Sequence, residues 1–333
     1  MPILTAVALA LLLALSFWPL ATLLPAVAQP VTRVPRIGVL QVGSPGASQA
    51  LFDAFKQGMR ERGYVEGQSV VLERRFAEGR SERLPGLAAE LVRLKVDVIV
   101  TSTDQGIAAV KQQTRTIPIV MANSSDPVGT GFVASLAHPG GNITGHSAMS
   151  PELSGKRLEL LKEVVPGLSR VAFLWNPDIR GAVLDYKETE TAARTLNLQL
   201  QSVEVSRAED LDQALASVAA GRAEALVVPA VNPVAYMHRG QIVRFAERDR
   251  LPSMYGTKDF ADAGGLMAFG PNAAEQWRRA AVYVDRILKG ARPGDLPVEQ
   301  PTQFELVINL KTARTLGLTI PQSLLRRADH VIQ

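Results

Sequence analysis

Cysteine is absent from the 333-residue chain. That excludes a disulfide scaffold, a zinc ribbon, an iron–sulfur site, a thiol nucleophile and a cysteine-based lipid anchor. Aromatic residues make up only 5%, too few for base-stacking platforms. No Lys/Arg run reaches five residues, and 36 basic against 32 acidic side chains leave a net charge of +4. A nucleic-acid footprint is therefore missing. The four histidines, His138, His146, His238 and His330, show no metal-ligand spacing, and surface or turn positions are expected for them. Gly155-Lys156 has Ser150 instead of Gly five positions earlier and Arg157 after the Lys, so the phosphate loop fails on both sides. Gly43-Ser44-Pro45-Gly46 is not a dinucleotide fingerprint, and Asp259-x-x-Asp262 lacks the other ligands of a calcium loop. No cofactor and no metal is expected.

Apolar residues account for 47% and charged residues for 20%, which suits a globular protein. At roughly 150 residues per domain, the length favours two domains. Residues 1–28 carry no charged side chain and end on Ala26-Val27-Ala28, the small-x-small pattern of a cleavage site. They predict an export signal, removed to leave the folded part in the periplasm. The same stretch is long enough to span a bilayer at about 20 residues. Its retention would make the protein a tethered, ligand-sensing ectodomain.

Short apolar runs alternate with amphipathic stretches along the remainder. Strands are predicted at 36–42, 69–76, 96–101 and 117–122, with helices at 50–62, 84–94 and 106–115 between them. Continuous apolar strands in this order imply a parallel sheet covered on both faces. The pattern then restarts. Residues 170–175 (RVAFLW) echo 36–41 (RIGVLQ), 223–229 echo 95–101 with an acid ahead of each strand (Glu224, Asp97), and 252–255 echo 118–121. The expected fold class is α/β: two Rossmann-like lobes with parallel sheets joined by a multi-strand hinge. Crossings near 146–150, 264–270 and 293–301 assign 36–147 plus 268–292 to an N-terminal lobe and 148–267 plus 293–333 to a C-terminal lobe. Ser150-Pro151 reads as an N-cap with Pro at the first helical position, and Ser206-x-x-Glu209 as a capping box.

Gly145-His146-Ser147-Ala148-Met149 lacks the second Gly of a nucleophile elbow; a secreted hydrolase using Ser147 is the weaker alternative. No catalytic pair assembles elsewhere, so an enzyme is not expected. In open α/β sheets ligands sit beyond the carboxyl ends of strands. Those ends carry Gln41 and Ser44; Ser102, Thr103, Asp104 and Gln105; Asn123, Ser125 and Asp126; Trp175 and Asn176; Asn232; and Tyr255 and Thr257. Ser102-Thr103 and Ser124-Ser125 run into helix starts, where free N–H groups favour an anion such as a carboxylate. Asp104 or Asp126 suits an ammonium, and Trp175 and Tyr255 suit an apolar or aromatic group.

Longer motifs carry a family resemblance. They are Ile117-Pro118-Ile119-Val120, Asp126-Pro127-Val128, the run 138–145 (HPGGNITG), 155–161 (GKRLELL), 262–267 (DAGGLM), and 296–301 (LPVEQP) leading to 309–313 (NLKTA). Over residues 36–332 the chain resembles the tryptophan-type ABC transporter substrate-binding family. That resemblance implies a type I periplasmic binding protein fold and a monomeric, non-enzymatic receptor. It also implies a small-molecule ligand, bound between the lobes by hinge closure and passed to an ABC permease in the inner membrane. Family pocket regions match Ser102-Thr103 and 123–126. Tryptophan-binding members tend to have Asp-Asn where this chain has Val231-Asn232, and Tyr where it has Phe269. The implied ligand is an amino acid, aromatic by family precedent; the lost acid adds an aromatic or keto acid without an amine.

Overall fold

The inner strands of this chain are apolar runs buried on both faces, and in the computed structural model they and more polar edge strands assemble into two sheets. The structure describes residues 33–230 and 232–333; the expected signal at 1–28 lies outside them. The first sheet has the order β2-β1-β3-β4-β5, all parallel. Its strands are β1 (Arg36–Gln41), β2 (Val71–Phe76), β3 (Val98–Ser102), β4 (Ile119–Ser124) and β5 (Ile143–Ser147). Helices α1 (Gln49–Arg60), α2 (Leu84–Arg93) and α3 (Asp104–Gln113) connect the first four strands.

The second sheet has the order β12-β11-β10-β9-β8-β6-β7. It comprises β6 (Arg170–Trp175), β7 (Gln199–Glu204), β8 (Ala225–Val228), β9 (Ser253–Tyr255), β10 (Met267–Pro271), β11 (Phe304–Asn309) and β12 (His330–Ile332). Only the β10–β11 pair is antiparallel. Its helices are α4 (Ser150–Val164), α5 (Arg180–Thr195), α6 (Leu211–Ala220), α7 (Pro233–Met237), α8 (Arg239–Arg248) and α9 (Lys258–Asp262), with α11 (Leu310–Thr315) and α12 (Gln322–Leu325) near the end. The remaining helix, α10 (Ala273–Leu288), belongs with the first sheet.

The internal repeat is real at the level of strands. β1, between β2 and β3, corresponds to β6, between β7 and β8. Even the acid ahead of the third strand recurs in one role. The Arg36 amide donates to Asp97 Oδ2 at 2.7 Å, and the Arg170 amide to Glu224 Oε2 at 3.1 Å. Each acid thus satisfies an N–H that the start of the neighbouring strand leaves without a ladder partner.

Each sheet is covered on both faces. On one face of the first, Phe52, Phe55 and Met59 of α1 pack with Trp277, Ala280 and Val284 of α10; each large side chain contributes about 1.5–3 kcal/mol by burial. Gly58 allows that contact, because a Cβ there would fall on the Arg278 carbonyl oxygen. On the other face lie Leu84, Ala88 and Leu91 of α2 and Ile107 and Val110 of α3.

Three segments pass between the sheets: 148–149 from β5 to α4, 272 from β10 to α10, and 300–303 from the β5 edge to β11. The lobe boundaries read from the sequence therefore shift at two places. Residues 268–271 belong to β10 in the second sheet. Residues 293–299 run along the first, where Glu299 bonds β5 through its backbone on both sides, Ser147 N to Glu299 O and Glu299 N to Gly145 O, each 2.9 Å.

Local signals also differ from expectation. Ser150 starts α4, but its hydroxyl donates to Asp185 Oδ2 at 2.8 Å instead of capping, and the N-cap position falls to Met149 at φ 51°. Ser206 donates to Asn176 Oδ1 at 3.2 Å, so no capping box forms. β5 and β7 were not expected as strands.

His146, on β5, is 4% exposed rather than a surface residue, edge-on to the Tyr283 ring at 5.1 Å. Neither ring nitrogen has a hydrogen-bond partner of good geometry, although the Met121 carbonyl is beside it. Burial, with Arg279 nearby, lowers its pKa from 6.5 to about 4. Between those values the unfolded chain takes up a proton that the folded chain refuses. Stability is therefore expected to fall as the pH drops from 6.5 to 4, by up to about 3 kcal/mol. Urea unfolding across that range, compared with His146→Gln, checks this: the two profiles should converge at low pH. Parallel profiles would contradict it.

Candidate ligand cleft

Both sheets point their strand carboxyl ends toward one cavity of about 140 Å3. From the first half come the β1 end and the start of α1 (Gln41, Val42, Ala47, Ser48, Leu51), the β3 end with the start of α3 (Ser102, Thr103, Asp104), and Asn123 and Ser125 after β4. Ala273 and Trp277 of α10 add to that side. The second half supplies Ser150, Ala230, Pro233, Tyr236, Met237, Thr257 and Asp259. Pairing registers shift at Thr101/Ser102 and between Met121 and Ser124. Such irregularities at strand ends re-aim side chains out of the ladder.

Asp104 is buried, and three groups hold its carboxylate: the Ser124 hydroxyl at 2.8 Å and the Ser125 amide at 3.1 Å on Oδ1, and the Ser125 hydroxyl on Oδ2. Burial raises its pKa against the pull of those hydroxyls. Gln41 is held at both ends of its amide. Its Oε1 accepts from Arg74 Nη2 at 3.2 Å and its Nε2 donates to the Ser48 carbonyl at 3.2 Å. The Arg74 guanidinium lies 3.6 Å from the Phe52 ring centroid and 4.6 Å from that of Phe76. That cation fixes which end of the amide is oxygen, so the nitrogen faces Ser48. Asn123 donates to Gln276 Oε1 at 3.3 Å, and Gln276 donates to the Ser147 carbonyl at 3.0 Å.

Among the described residues no lysine, arginine or histidine lines the cavity. Positive potential there comes from backbone. α1 begins at the cavity with no acidic residue in its first turn and no side-chain cap; the Gln49 amide donates to the Gly46 carbonyl at 3.3 Å, so it is the next two N–H groups, of Ala50 and Leu51, that stay available to an acceptor. On the second half the Tyr236 hydroxyl faces Asp259, and burial with that carboxylate nearby pushes its pKa up to about 12. Thr257 Oγ1 and Asn232 Nδ2 are buried with no partner. Buried polar atoms of this kind normally have one, and both belong to segments bordering the cavity.

Of the fourteen residues expected at the site, Gln41, Ser102, Thr103, Asp104, Asn123, Ser125 and Thr257 line this cavity together. The other seven do not. Ser44 Oγ accepts from the Ala47 amide, Gln105 Oε1 from the Ser81 hydroxyl, and Asp126 Oδ1 from the Val128 and Gly129 amides, so each closes a local turn or contact. Asn176 Oδ1 accepts from Asp178 N, and Asn232 Oδ1 caps α7 at Ala235 N. Trp175 stacks on Tyr186 at 4.5 Å and donates to Ser202; Tyr255 stacks on Phe260 at 4.6 Å, fully buried. The aromatic lining comes instead from Trp277 and Tyr236, on helices whose approach a local sequence pattern does not reveal. Val231 lies outside the described residues.

Ser147 does not form a nucleophile pair. Its Oγ accepts from the Met149 amide at 3.1 Å, and adjacent strand residues face opposite sides, which turns His146 away. Among the described residues no three His, Cys, Asp or Glu side chains form a group able to hold a metal, and no helix is long and apolar enough to cross a membrane.

Two Rossmann-like halves, three crossings and a cavity shared at the strand ends define the type I periplasmic binding protein fold. Residues 36–332 match the ABC transporter substrate binding protein family, and the chain belongs to it. A tyrosine-binding protein of Clostridioides difficile (strain R20291) is 24% identical over 283 residues, 85% of this chain and 81% of that protein. Among solved structures, a conserved domain protein from Vibrio cholerae is 28% identical with a TM-score of 0.84, covering 90% of this chain and all 100% of that one. An ABC domain from Streptococcus pneumonia, in complex with L-Trp, is 26% identical with a TM-score of 0.83, covering 90% and 99%.

The halves touch beside the cavity. Gly181, in the first turn of α5, sits against Asp104 Oδ2 and Ser125 Oγ so closely that a Cβ would overlap both oxygens. Gly181→Ala is expected to destabilise the protein by about 1–3 kcal/mol through overpacking, measured by urea unfolding. A change below about 0.5 kcal/mol would show that α5 yields freely there.

Proposed function

We propose that this protein is a periplasmic solute receptor. It binds a small carboxylate-bearing molecule, an amino acid or an aromatic or keto acid, between its halves, closes on it by bending at the three crossings, and delivers it unchanged to an ABC permease. The observation that carries this reading is the cavity itself, lined from both halves at the strand ends and carrying buried polar atoms without partners. A carboxylate suits the first half. The open N-terminal turn of α1 and the hydroxyls of Ser48, Ser102 and Thr103 are donors, and backbone dipoles hold an anion without a side-chain cation. Trp277, Leu51, Tyr236 and Met237 give the rest of the ligand an apolar enclosure.

A space of this size takes a group on the scale of one aromatic ring. The relatives described as tyrosine-binding and as an L-Trp complex support the same ligand class. Periplasmic residence and a cleaved signal at 1–28 belong to this reading, as does a monomeric state. Closure presents both halves together to the permease, and only interactions specific to the closed form shift the balance toward it.

A thermal-denaturation screen of amino acids, aromatic acids, keto acids and sugars tests this. A ligand at a hundredfold excess over its dissociation constant stabilises by about 2.7 kcal/mol, so a carboxylate-bearing compound is expected to raise the melting temperature by several degrees. Stabilisation by sugars alone would defeat the carboxylate assignment.

A further inference from the structure

We propose that Asp259 reads a positive group on the ligand, so that the cleft takes α-amino acids in preference to the same acids lacking the amine. This inference rests on the cleft being a carboxylate site, as argued above, and adds the second pole.

Among the described residues the cavity has two carboxylates in its wall and no cationic side chain. The two carboxylates are not equivalent. Asp104, on the first half, accepts three hydrogen bonds, from the Ser124 and Ser125 hydroxyls and the Ser125 amide, with Gly181 closing over it. It has little capacity left for a ligand. Asp259, on the second half, has no lysine, arginine or histidine nitrogen within ion-pair distance among the described residues. The cations that flank it make their direct bonds to other partners, although the Lys258 charge also acts on Asp259. Lys258 Nζ pairs with Asp262 Oδ2 at 2.6 Å, and Arg239 lies over the Tyr236 ring at 4.9 Å with its Nη1 donating to the Tyr236 carbonyl at 3.0 Å. The Tyr236 hydroxyl is directed to Asp259.

An ionised carboxylate has about four acceptor positions. Tyr236 fills one, leaving Asp259 able to accept from a cation inside the cavity. Thr257, two residues earlier and also in the wall, has a hydroxyl oxygen buried without a partner. An ammonium has three N–H donors and no acceptor; Asp259 and the Thr257 oxygen supply acceptors for two of them. The opposite wall, at the start of α1, supplies donors. The cavity is therefore polarised across its width, donors on the first half and acceptors on the second, which is the arrangement a zwitterion fits. An amine-free acid would leave the Asp259 charge facing the ligand's apolar part, partly desolvated and uncompensated.

Isothermal titration with two matched pairs tests this: L-phenylalanine against 3-phenylpropionate, and L-leucine against 4-methylpentanoate, on the wild type, Asp259→Asn and Asp259→Glu. The expected result is that at least one amino acid binds the wild type tenfold or more tighter than its amine-free partner. Asp259→Asn should remove that preference by weakening only the amino acid, and Asp259→Glu should keep it. The preference is a ratio within one protein sample, so partial misfolding of a variant does not alter it. Equal binding of both members of a pair to the wild type overturns the inference and leaves the carboxylate site standing. A preference that persists in Asp259→Asn also overturns it. Silence from all four compounds removes the inference and the carboxylate reading together.

Discussion

A single buried guanidinium fixes where the chain enters and leaves the second half. Arg157, 1% exposed on α4, donates from Nε to the Phe269 carbonyl at 3.0 Å and from Nη1 to the Ser150 carbonyl at 3.3 Å. Ser150 follows the first crossing and Phe269 precedes the second, so one side chain ties the roots of two of the three connections. Asp185, fully buried, lies 3.9 Å from Arg157 Nη1 and accepts from Ser150 Oγ and Ser154 Oγ at 2.8 and 2.6 Å. A charge this deep is tolerable only with an opposite charge and several hydrogen bonds around it. Removing one member would strand the other, at a cost of about 3–5 kcal/mol. The cluster therefore ties the roots of two crossings to one buried charge pair in the second half. It also explains why Ser150, which reads as a helix cap, gives its hydroxyl to Asp185 instead.

The same economy of side-chain charge marks the cleft. Cations near the cavity are turned aside: Arg74 stacks between two phenylalanines and holds Gln41, and Arg239 stacks on Tyr236. Their effect on the cavity passes through the neutral groups they orient. For the carboxylate proposed above, attraction is then left to N–H dipoles, which are fixed by the helix and would lose no side-chain freedom on binding. Such a site discriminates by direction of hydrogen bonding more than by net charge. It also keeps lysine and arginine nitrogens of the described residues out of ion-pair distance of Asp259, where a direct pair within the wall would compete with a cationic group on the proposed ligand.

Much of this was legible in the chain because parallel strands buried on both faces are continuous apolar runs. Residues 37–40, 98–100, 119–122, 171–174 and 225–228 announce themselves, and their repeated spacing gives two halves. Edge strands do not. β7 (QLQSVE) is polar and largely accessible on the margin of its sheet, and β5 (ITGHS) contains Gly145 at φ 134°. The first-half strand ends yielded residues that line the cavity, since Ser102, Thr103, Asp104, Asn123 and Ser125 lie at or just past the ends of their strands. Trp175 and Tyr255 also close strands, yet their rings turn into the layers between sheet and helices, against Tyr186 and Phe260. Which side a terminal residue takes depends on the neighbouring helix, and that is tertiary information. Trp277, Tyr236 and Asp259 reach the cavity only because the crossings bring distant helices to it.

Beside the cavity the two halves hold each other through their own backbone and side-chain groups. The Ser150 amide donates to the Ser125 carbonyl at 3.1 Å, the Ala148 amide to the Ser124 carbonyl at 2.6 Å, and Gly181 rests on Asp104 and Ser125. These bonds lie close to the first crossing, so the closure proposed above need not break them. Under that proposal the far wall is what changes, where Tyr236, Met237 and Asp259 face the starts of α1 and α3. Near contacts common to both poses would cancel in the difference between open and closed forms. The proposed ligand would then need to supply only the far-wall contacts, which a small molecule with a donor-seeking end and an acceptor-seeking end does with few atoms. Binding strength in such a cleft is set by how well those two ends match the polarity across the gap, and the apolar enclosure between them limits size.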